Sequence, residues 1–485
     1  MMRSSAPMTP KTPRLSAKAR VRDNTIPFFV ASSLIVVALA WIIRKDIQLP
    51  SGVILGIGAA GLLLLFVSTL RKPELALFAL AAYLPFNRVL VGDFGTEMLG
   101  LNLTNLLMGL ASIGWFLRAM SRREPIFRRT ALNGWIALFV LLGLISVYRG
   151  SQFWSGSSFN LNVFVQMKRW FTPMWLFFIG ANLIQDRPTI KRVMLTISFA
   201  VVVIALMAVR DYSYMGHLGS LEKARISGVL GHSNALGAFF AYYMFLMAAV
   251  LLTHSSKIQA WALLLPLAIC FRGIMVTFSR GAYLAFAAGG LSLCFFRSKR
   301  LFLAALMVLA AAVVNPWMLP SGVRYRFAQT VQDPNEANFE QSLEGSSRTR
   351  LEIWRGAIGI IRDYPLWGAG FETFNRLISR YTPQRLYIDA HNTYLLVAAE
   401  MGLPALGVFL IILLLILAHA ASLARRSKDR LIQALGLGVA AGTSALLVSN
   451  LFGSRMNAED LISYFWLLAG LVVGAKVLVK RGVLE

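Results

Sequence analysis

Apolar residues fill this chain in long uninterrupted runs, separated by short polar segments rich in arginine and lysine. The runs do not alternate apolar with polar positions, as the strands of a membrane barrel would. Many reach roughly 18 residues or more, enough for a helix to cross a hydrocarbon core about 30 Å thick. The pattern predicts spans at about 26–43, 49–70, 75–92, 101–120, 131–148, 163–184, 192–209, 233–253, 259–277, 282–296, 301–318, 391–418, 431–452 and 461–478. The predicted fold is an all-α polytopic membrane protein of about 12–14 transmembrane helices, the lower count applying if the opening pair is joined or dropped.

The cations orient this thread. With the N-terminus inside, arginine and lysine crowd the inner loops, as at Arg118 to Arg129, Arg187 to Arg192, Arg297 to Arg300 and Arg425 to Arg430. The positive-inside rule is satisfied except at Arg44-Lys45, and both termini fall on the cytoplasmic side. Residues 1–25 read as a disordered basic tail, 26–319 as membrane helices, 320–390 as one large outer loop and 391–485 as the C-terminal helices. Within the loop, Ser346 or Ser347 is placed to cap a helix from Arg348 to about Asp363, with Leu351, Trp354, Ile358 and Ile361 at helical spacing. Tyr364 to Gly370 reads as a stop and turn. A second short amphipathic helix, Phe371 to Arg380, sets Phe374, Leu377 and Ile378 on one side.

Composition narrows the classes. At 57% hydrophobic and 14% charged over 485 residues, with mean hydropathy +0.63, the chain is not a soluble globule. The net charge of +26 follows from topology, so the expected surroundings are membrane lipids and no nucleic acid. Cys270 and Cys294 lie inside apolar runs and suggest neither a disulfide framework nor a thiolate metal site. No phosphate-binding Gly-rich loop, zinc-type spacing or outer cluster of carboxylates is visible, so no cofactor or metal is expected. An anionic phosphate on the outer side would then fall to arginine.

Ionisable groups at membrane depth cost about 2.5–3.5 kcal/mol each, which makes those on the outer side candidates for function. His391 stands in Asp389-Ala390-His391-Asn392-Thr393-Tyr394 at the mouth of the predicted span 391–418. Asp389 is the expected N-cap, which places His391 in the first helical turn, where the dipole favours the neutral imidazole that a general base needs. A histidine that only anchors a helix end is the competing reading. Arg280, in Ser279-Arg280-Gly281, and Arg225, in a Gly-punctuated loop ending at Asn234, can grip phosphate, or can be interfacial and surface-loop residues. Lys168 and Arg169 can add charge to the same basin or anchor a helix beside Trp170 and Trp175. Arg348, Arg350 and Arg355 are more ordinary as a solvated face. Glu400, about 13 Å deeper than His391, suits a buried ion pair with another helix.

The order of these elements resembles the O-antigen ligase family of bacterial inner-membrane glycosyltransferases, which includes O-antigen polymerases and protein O-oligosaccharyltransferases. The resemblance runs from about Arg225 to Leu410. It rests on Arg225 with Gly228 and Asn234, on Ser279-Arg280-Gly281, on Arg350 to Trp354 leading to Trp367-Gly368-Ala369-Gly370, and on His391-Asn392-Thr393-Tyr394 with Glu400-Met401-Gly402. It implies a GT-C-like membrane fold with a periplasmic loop. It also implies an inverting, metal-independent transfer of a glycan from undecaprenyl pyrophosphate to a lipid A–core hydroxyl. His391 would be the base. Arg225 and Arg280 would hold the pyrophosphate, with Lys168, Arg169 and Arg350 as weaker candidates and Asn392 and Tyr394 touching substrate. His232 receives no role by resemblance. Polymerase or protein O-oligosaccharyltransferase activity is the alternative within the family, and a flippase or transporter the alternative outside it.

Overall fold

The computed structural model describes residues 61, 63–90, 102–152, 157–215, 225–330, 342–384 and 387–482. The basic tail at 1–25, the span at 26–43, most of the span at 49–70 and the exception at Arg44-Lys45 lie outside the described residues. Among the described residues the chain is built of helices, with no strand. The longer ones run in order α1 (Glu74–Tyr83), α2 (Leu103–Ser121), α3 (Asn133–Ser151), α4 (Ser157–Leu183), α5 (Arg187–Met215), α6 (Ser233–Thr253), α7 (Leu264–Met275) and α8 (Arg280–Arg297). Then follow α9 (Lys299–Val314), α10 (Ser321–Ala328), α11 (Gly345–Asp363), α12 (Phe374–Leu377), α13 (Thr393–Met401), α14 (Leu403–Arg426), α15 (Arg430–Ser449) and α16 (Glu459–Lys480).

Eight stretches among the described residues are long and apolar enough to cross a membrane: α2, α3, α5, α6, Ile258–Met275 (which ends in α7), α14, α15 and α16. The chain is a multi-pass, all-α membrane protein. The helices divide by burial. In α6 and α16, 83% of the apolar stretch is buried, against 22% in Ile258–Met275, so the first two are central and the last faces lipid. Backbones approach closely at the centre through glycines: a Cβ on Gly442 of α15 would stand 2.5 Å from the Tyr242 carbonyl of α6. Without a hydrophobic force to join helices in lipid, such contacts supply the packing. The bundle's two ends differ. At one, basic loops meet, with Arg187 2.5 Å from Asp429 and Arg430 Nη1 donating to Ser256 Oγ at 2.9 Å. The starts of α6, α8 and α16 and the end of α15 lie at the other.

Three expectations need correction here. The predicted span 391–418 is two helices, α13 and α14, broken at Gly402. Gly402 has φ +89° and its Cα lies against the Leu366 carbonyl, a conformation and an approach that a side chain would disfavour. In the loop, α11 begins a turn earlier than Arg348, and neither Ser346 nor Ser347 caps it. Its buried face is Ile353, Gly356, Ala357 and Ile360 rather than the predicted stripe, and Ile358 is 43% exposed. The small pair Gly356-Ala357 lets the chain carrying Ile378 and Thr382 come close, and that contact outranks the larger apolar side chains. The second predicted loop helix is only α12 plus a 3₁₀ turn at Ile378–Arg380, with Phe374, Leu377 and Ile378 buried together as expected.

Candidate functional site

At the end of the bundle away from the basic loops, a cavity of about 110 Å³ opens between α6, α8, α10 and α11. Arg225, Arg280, Arg326, Arg350 and Arg455 line it, with Glu344 as its one carboxylate among the described residues. Each arginine is held from a different element. Arg225 Nη2 donates to Asn234 Oδ1 at 2.8 Å and its Nε to the Thr277 carbonyl at 3.2 Å. Arg280 opens α8, whose N-cap is Ser279, and pairs with Glu344 at 2.6 Å while donating to Thr330 Oγ1 at 2.8 Å and Ser346 Oγ at 3.2 Å. Ser346 thus serves the cavity and not the cap expected of it. Arg326 projects from α10 and is 8% exposed, with Nη1 donating to Gln329 at 3.1 Å. The Nε atoms of Arg326 and Arg455 are buried without a hydrogen-bond partner among the described residues. Burial, and then the neighbouring cations Arg280 and Arg455, push the Arg350 guanidinium below its ordinary pKa. So many guanidiniums around one small space suit an anion of several charges.

Beside this cavity is His391, and Thr393 links the two. Thr393 Oγ1 accepts the Arg455 backbone N–H at 3.0 Å, and the Thr393 N–H donates to the Asn450 carbonyl at 2.9 Å. The motif and the loop after α15 are therefore one assembly. The N-cap of α13 is Asn392, whose Oδ1 accepts from the N–H groups of Tyr394 (2.9 Å) and Leu395 (3.1 Å). Asp389 is not the cap. Its Oδ2 accepts the His391 N–H at 3.0 Å and lies 3.6 Å from His391 Nδ1. His391 precedes the cap at φ +49°, a left-handed conformation that costs a non-glycine residue of order 1–3 kcal/mol. Its pKa is lowered, as expected, but by burial first and then by Arg350 and Arg455, against the pull of Asp389.

Asn392 and Tyr394 were expected to touch substrate. In the structure Asn392 Oδ1 accepts at the cap, and the Tyr394 hydroxyl donates to the Leu447 carbonyl at 2.7 Å. Arg348 and Arg355 are exposed, as a solvated face requires. Lys168 does not line the cavity. Arg169, on the next position of α4, does not line it either, and its charge acts on Glu372.

Glu372 belongs to a carboxylate cluster that the sequence hid. The turn Trp367 to Gly370 folds onto α13: Ala369 N–H donates to the Ala399 carbonyl at 2.8 Å and Gly370 N–H to the Glu400 carbonyl at 3.0 Å. Gly368 sits at φ +68° with its Cα facing the Glu400 carbonyl, where no Cβ fits. This brings Glu372, itself at φ +60°, to Glu400 and Asp389. Burial first and Asp389 second push the Glu372 carboxyl up to about 7, with Arg169 opposing. Glu400 was expected in an ion pair, but no cation pairs with it among the described residues. Its Oε1 accepts the Phe374 N–H at 3.1 Å, and burial and Glu372 raise its pKa well above the usual range. The cluster offers acceptors for hydroxyls a short way from His391. No group of His, Cys, Asp and Glu able to hold a metal ion occurs among the described residues.

A wider apolar groove of about 640 Å³ runs between α7, α8, α9 and α10. Phe271, Phe286, Leu309, Val323 and Phe327 are among its walls. α10 separates the two spaces: Arg326 faces the arginine cavity, and Val323 and Phe327 face the groove.

Fold and site together define a polytopic helical membrane protein with a cationic pocket at one end and an apolar channel beside it. The model of the family described as O-antigen ligase matches residues 265–410, less than a third of the chain. The match takes in Arg280, Arg326, Arg350 and His391 and bears out the resemblance over that stretch; Arg225, His232 and Arg455 lie beyond it. No curated protein matches the chain. A function of the O-antigen ligase and polymerase kind is therefore supported.

Proposed function

We propose that this protein is an inner-membrane glycosyltransferase that moves an O-antigen glycan from undecaprenyl pyrophosphate to a sugar hydroxyl of lipid A–core. The reading places the site in the periplasm and both termini in the cytoplasm, because the cation-rich loops gather at the opposite end. The observation that carries it is the pairing of an arginine cavity with an apolar groove across α10. A lipid pyrophosphate has a charged head and an oily tail, and the two spaces match those two parts. A transporter would instead place its charges near mid-bilayer between related halves.

In this mechanism the arginines hold the pyrophosphate and stabilise the charge that grows on it as the C1–oxygen bond breaks, with no metal ion required. The Asp389 carboxylate faces His391 Nδ1, which leaves Nε2 to take the proton of the attacking hydroxyl. A single in-line displacement inverts C1. The Glu372 and Asp389 oxygens are placed to accept hydroxyls of the acceptor sugar.

Lipopolysaccharide from a deletion strain carrying wild type or His391→Ala tests this. The expected result for the variant, at unchanged abundance, is bare core with glycan retained on its lipid carrier. Core bearing a single repeat would identify a polymerase. Normal lipopolysaccharide with the alanine variant would remove His391 as base.

A further inference from the structure

His232 immediately precedes α6 and caps it: the Asn234 backbone N–H donates to His232 Nδ1 at 3.3 Å. A ring nitrogen that accepts carries no proton, so the neutral ring holds its hydrogen on Nε2. Asn234 also joins His232 to the arginine cavity, since its Oδ1 accepts from Arg225 Nη2 at 2.8 Å. The residue is accessible at the surface. Partial burial first, and then the charges of Arg455, Arg225, His391 and Arg88, lower its pKa. Arg88 comes from the far side, with Nη1 donating to the Leu230 carbonyl at 2.9 Å.

The two histidines are thus of opposite kind. His391 faces a carboxylate with Nδ1 and presents a bare Nε2; His232 faces an N–H with Nδ1 and presents Nε2–H. A donor set among three guanidiniums and the start of a helix has one suitable partner, an anion. We infer that His232 is a further catalytic residue, whose Nε2–H hydrogen-bonds an oxygen of the departing pyrophosphate during glycan transfer. This inference rests on the transferase reading above. The step balances simply. The acceptor oxygen bonds C1 and its proton passes to His391 Nε2. The C1–phosphate bond breaks and its electron pair leaves with the pyrophosphate. His232 keeps its proton and steadies the added negative charge.

The test separates donating from capping. Asparagine is among the best N-caps, so His232→Asn keeps an acceptor for the α6 start and lacks the ring N–H. Purified His232→Asn in lipid nanodiscs is assayed with undecaprenyl-pyrophosphate-linked glycan and lipid A–core. We expect kcat to fall roughly ten- to hundredfold, the worth of a hydrogen bond to a charged group. We also expect undecaprenyl pyrophosphate, added as product, to inhibit about tenfold less well, a change that a capping role does not produce. Wild-type kcat with wild-type product inhibition overturns the inference. If His232→Asn does not accumulate, His232→Ser, also a capping residue, is read by the same two measurements. His391→Ala run alongside keeps the layers apart: loss there with normal His232→Asn defeats this inference alone, whereas full activity there defeats the transferase mechanism beneath it.

Discussion

The arginine cavity and the apolar groove share α8 and α10 and little else. On α10, Arg326 turns to the first and Val323 and Phe327 to the second, three and one residues away from it. The cavity is small and built from elements far apart in the chain, including loops before α6 and after α15. The groove is several times larger and comes from one continuous stretch, α7 to α10. A charged group is recognised by a few fixed donors, whereas an apolar chain needs area and little direction. That contrast assigns different measurable quantities to the two spaces: the cavity's guanidiniums should govern kcat, and the groove, together with the competing Glu344, should govern donor KM.

The largest effect is expected from the cavity. Arg280→Ala removes a guanidinium aimed at the developing charge and frees Glu344, leaving a carboxylate where phosphate should bind. Transfer should fall about 10²–10³-fold in kcat, the loss typical of one such donor. A change confined to KM would mean that Arg280 binds ground state and transition state alike, and would break the assignment of the cavity to chemistry.

The groove should answer differently. Ala305→Trp fills it from α9 without touching an arginine. Each displaced methylene is worth roughly 0.8 kcal/mol, so a rise in donor KM of about tenfold is expected with kcat nearly kept. A short-chain polyprenyl donor, which leaves the groove partly empty, should lose less. Equal losses for both donors would place the lipid tail elsewhere.

Glu344 offers a smaller effect in the opposite direction. Its carboxylate holds Arg280 at 2.6 Å inside the cavity, where an incoming phosphate must compete with it. Glu344→Gln keeps the shape and removes the competing charge. Donor KM should drop two- to fivefold, on the scale of a partly exposed ion pair. A higher KM would show that Glu344 positions Arg280 for substrate rather than standing in its place.

The same contrast governs what was readable in the sequence. The groove's helices and the rest of the bundle were legible, because lipid demands continuous apolar helices; α6 was expected at 233–253 and is Ser233–Thr253. Arg225, Arg280 and His391 stood out as costly groups near membrane ends, and the structure sets the two arginines around one cavity with His391 beside it; Arg350, read from its position as part of a solvated face, lines the same cavity. Arg455 and Arg326 did not stand out. Arg455 sits in Gly453-Ser454-Arg455 in a short loop between two spans, much as Arg280 sits in Ser279-Arg280-Gly281, and that parallel was the available signal. The carboxylate cluster had no such signal. Glu372, Asp389 and Glu400 meet only because the turn at Gly368 lies down on α13, a contact between backbones that no spacing reveals. The capping residue was misread for a related reason: Asp389 and Asn392 are both good caps, and the left-handed turn at His391 decides between them.

The finest test concerns the cavity's electrostatic reach into the base. His391 must be neutral to accept a proton, so activity should rise with pH through a value below that of an ordinary histidine and then level off. After burial, the groups that set this value act in opposite senses: Arg350 and Arg455 disfavour the imidazolium and Asp389 favours it. Arg350→Gln removes a cation, so imidazolium becomes easier to form and the acid limb should move to higher pH. Asp389→Asn removes an anion while its amide oxygen can still accept the His391 N–H, so the limb should move to lower pH. Glu372 titrates near 7 and Asp389 contributes to that value, so it could mimic the limb; Glu372→Gln should leave the limb in place if His391 is the group observed. Limbs that shift the same way in the arginine and aspartate variants would mean the titrating group does not lie between Asp389 and Arg350, and the link between cavity and base would fail.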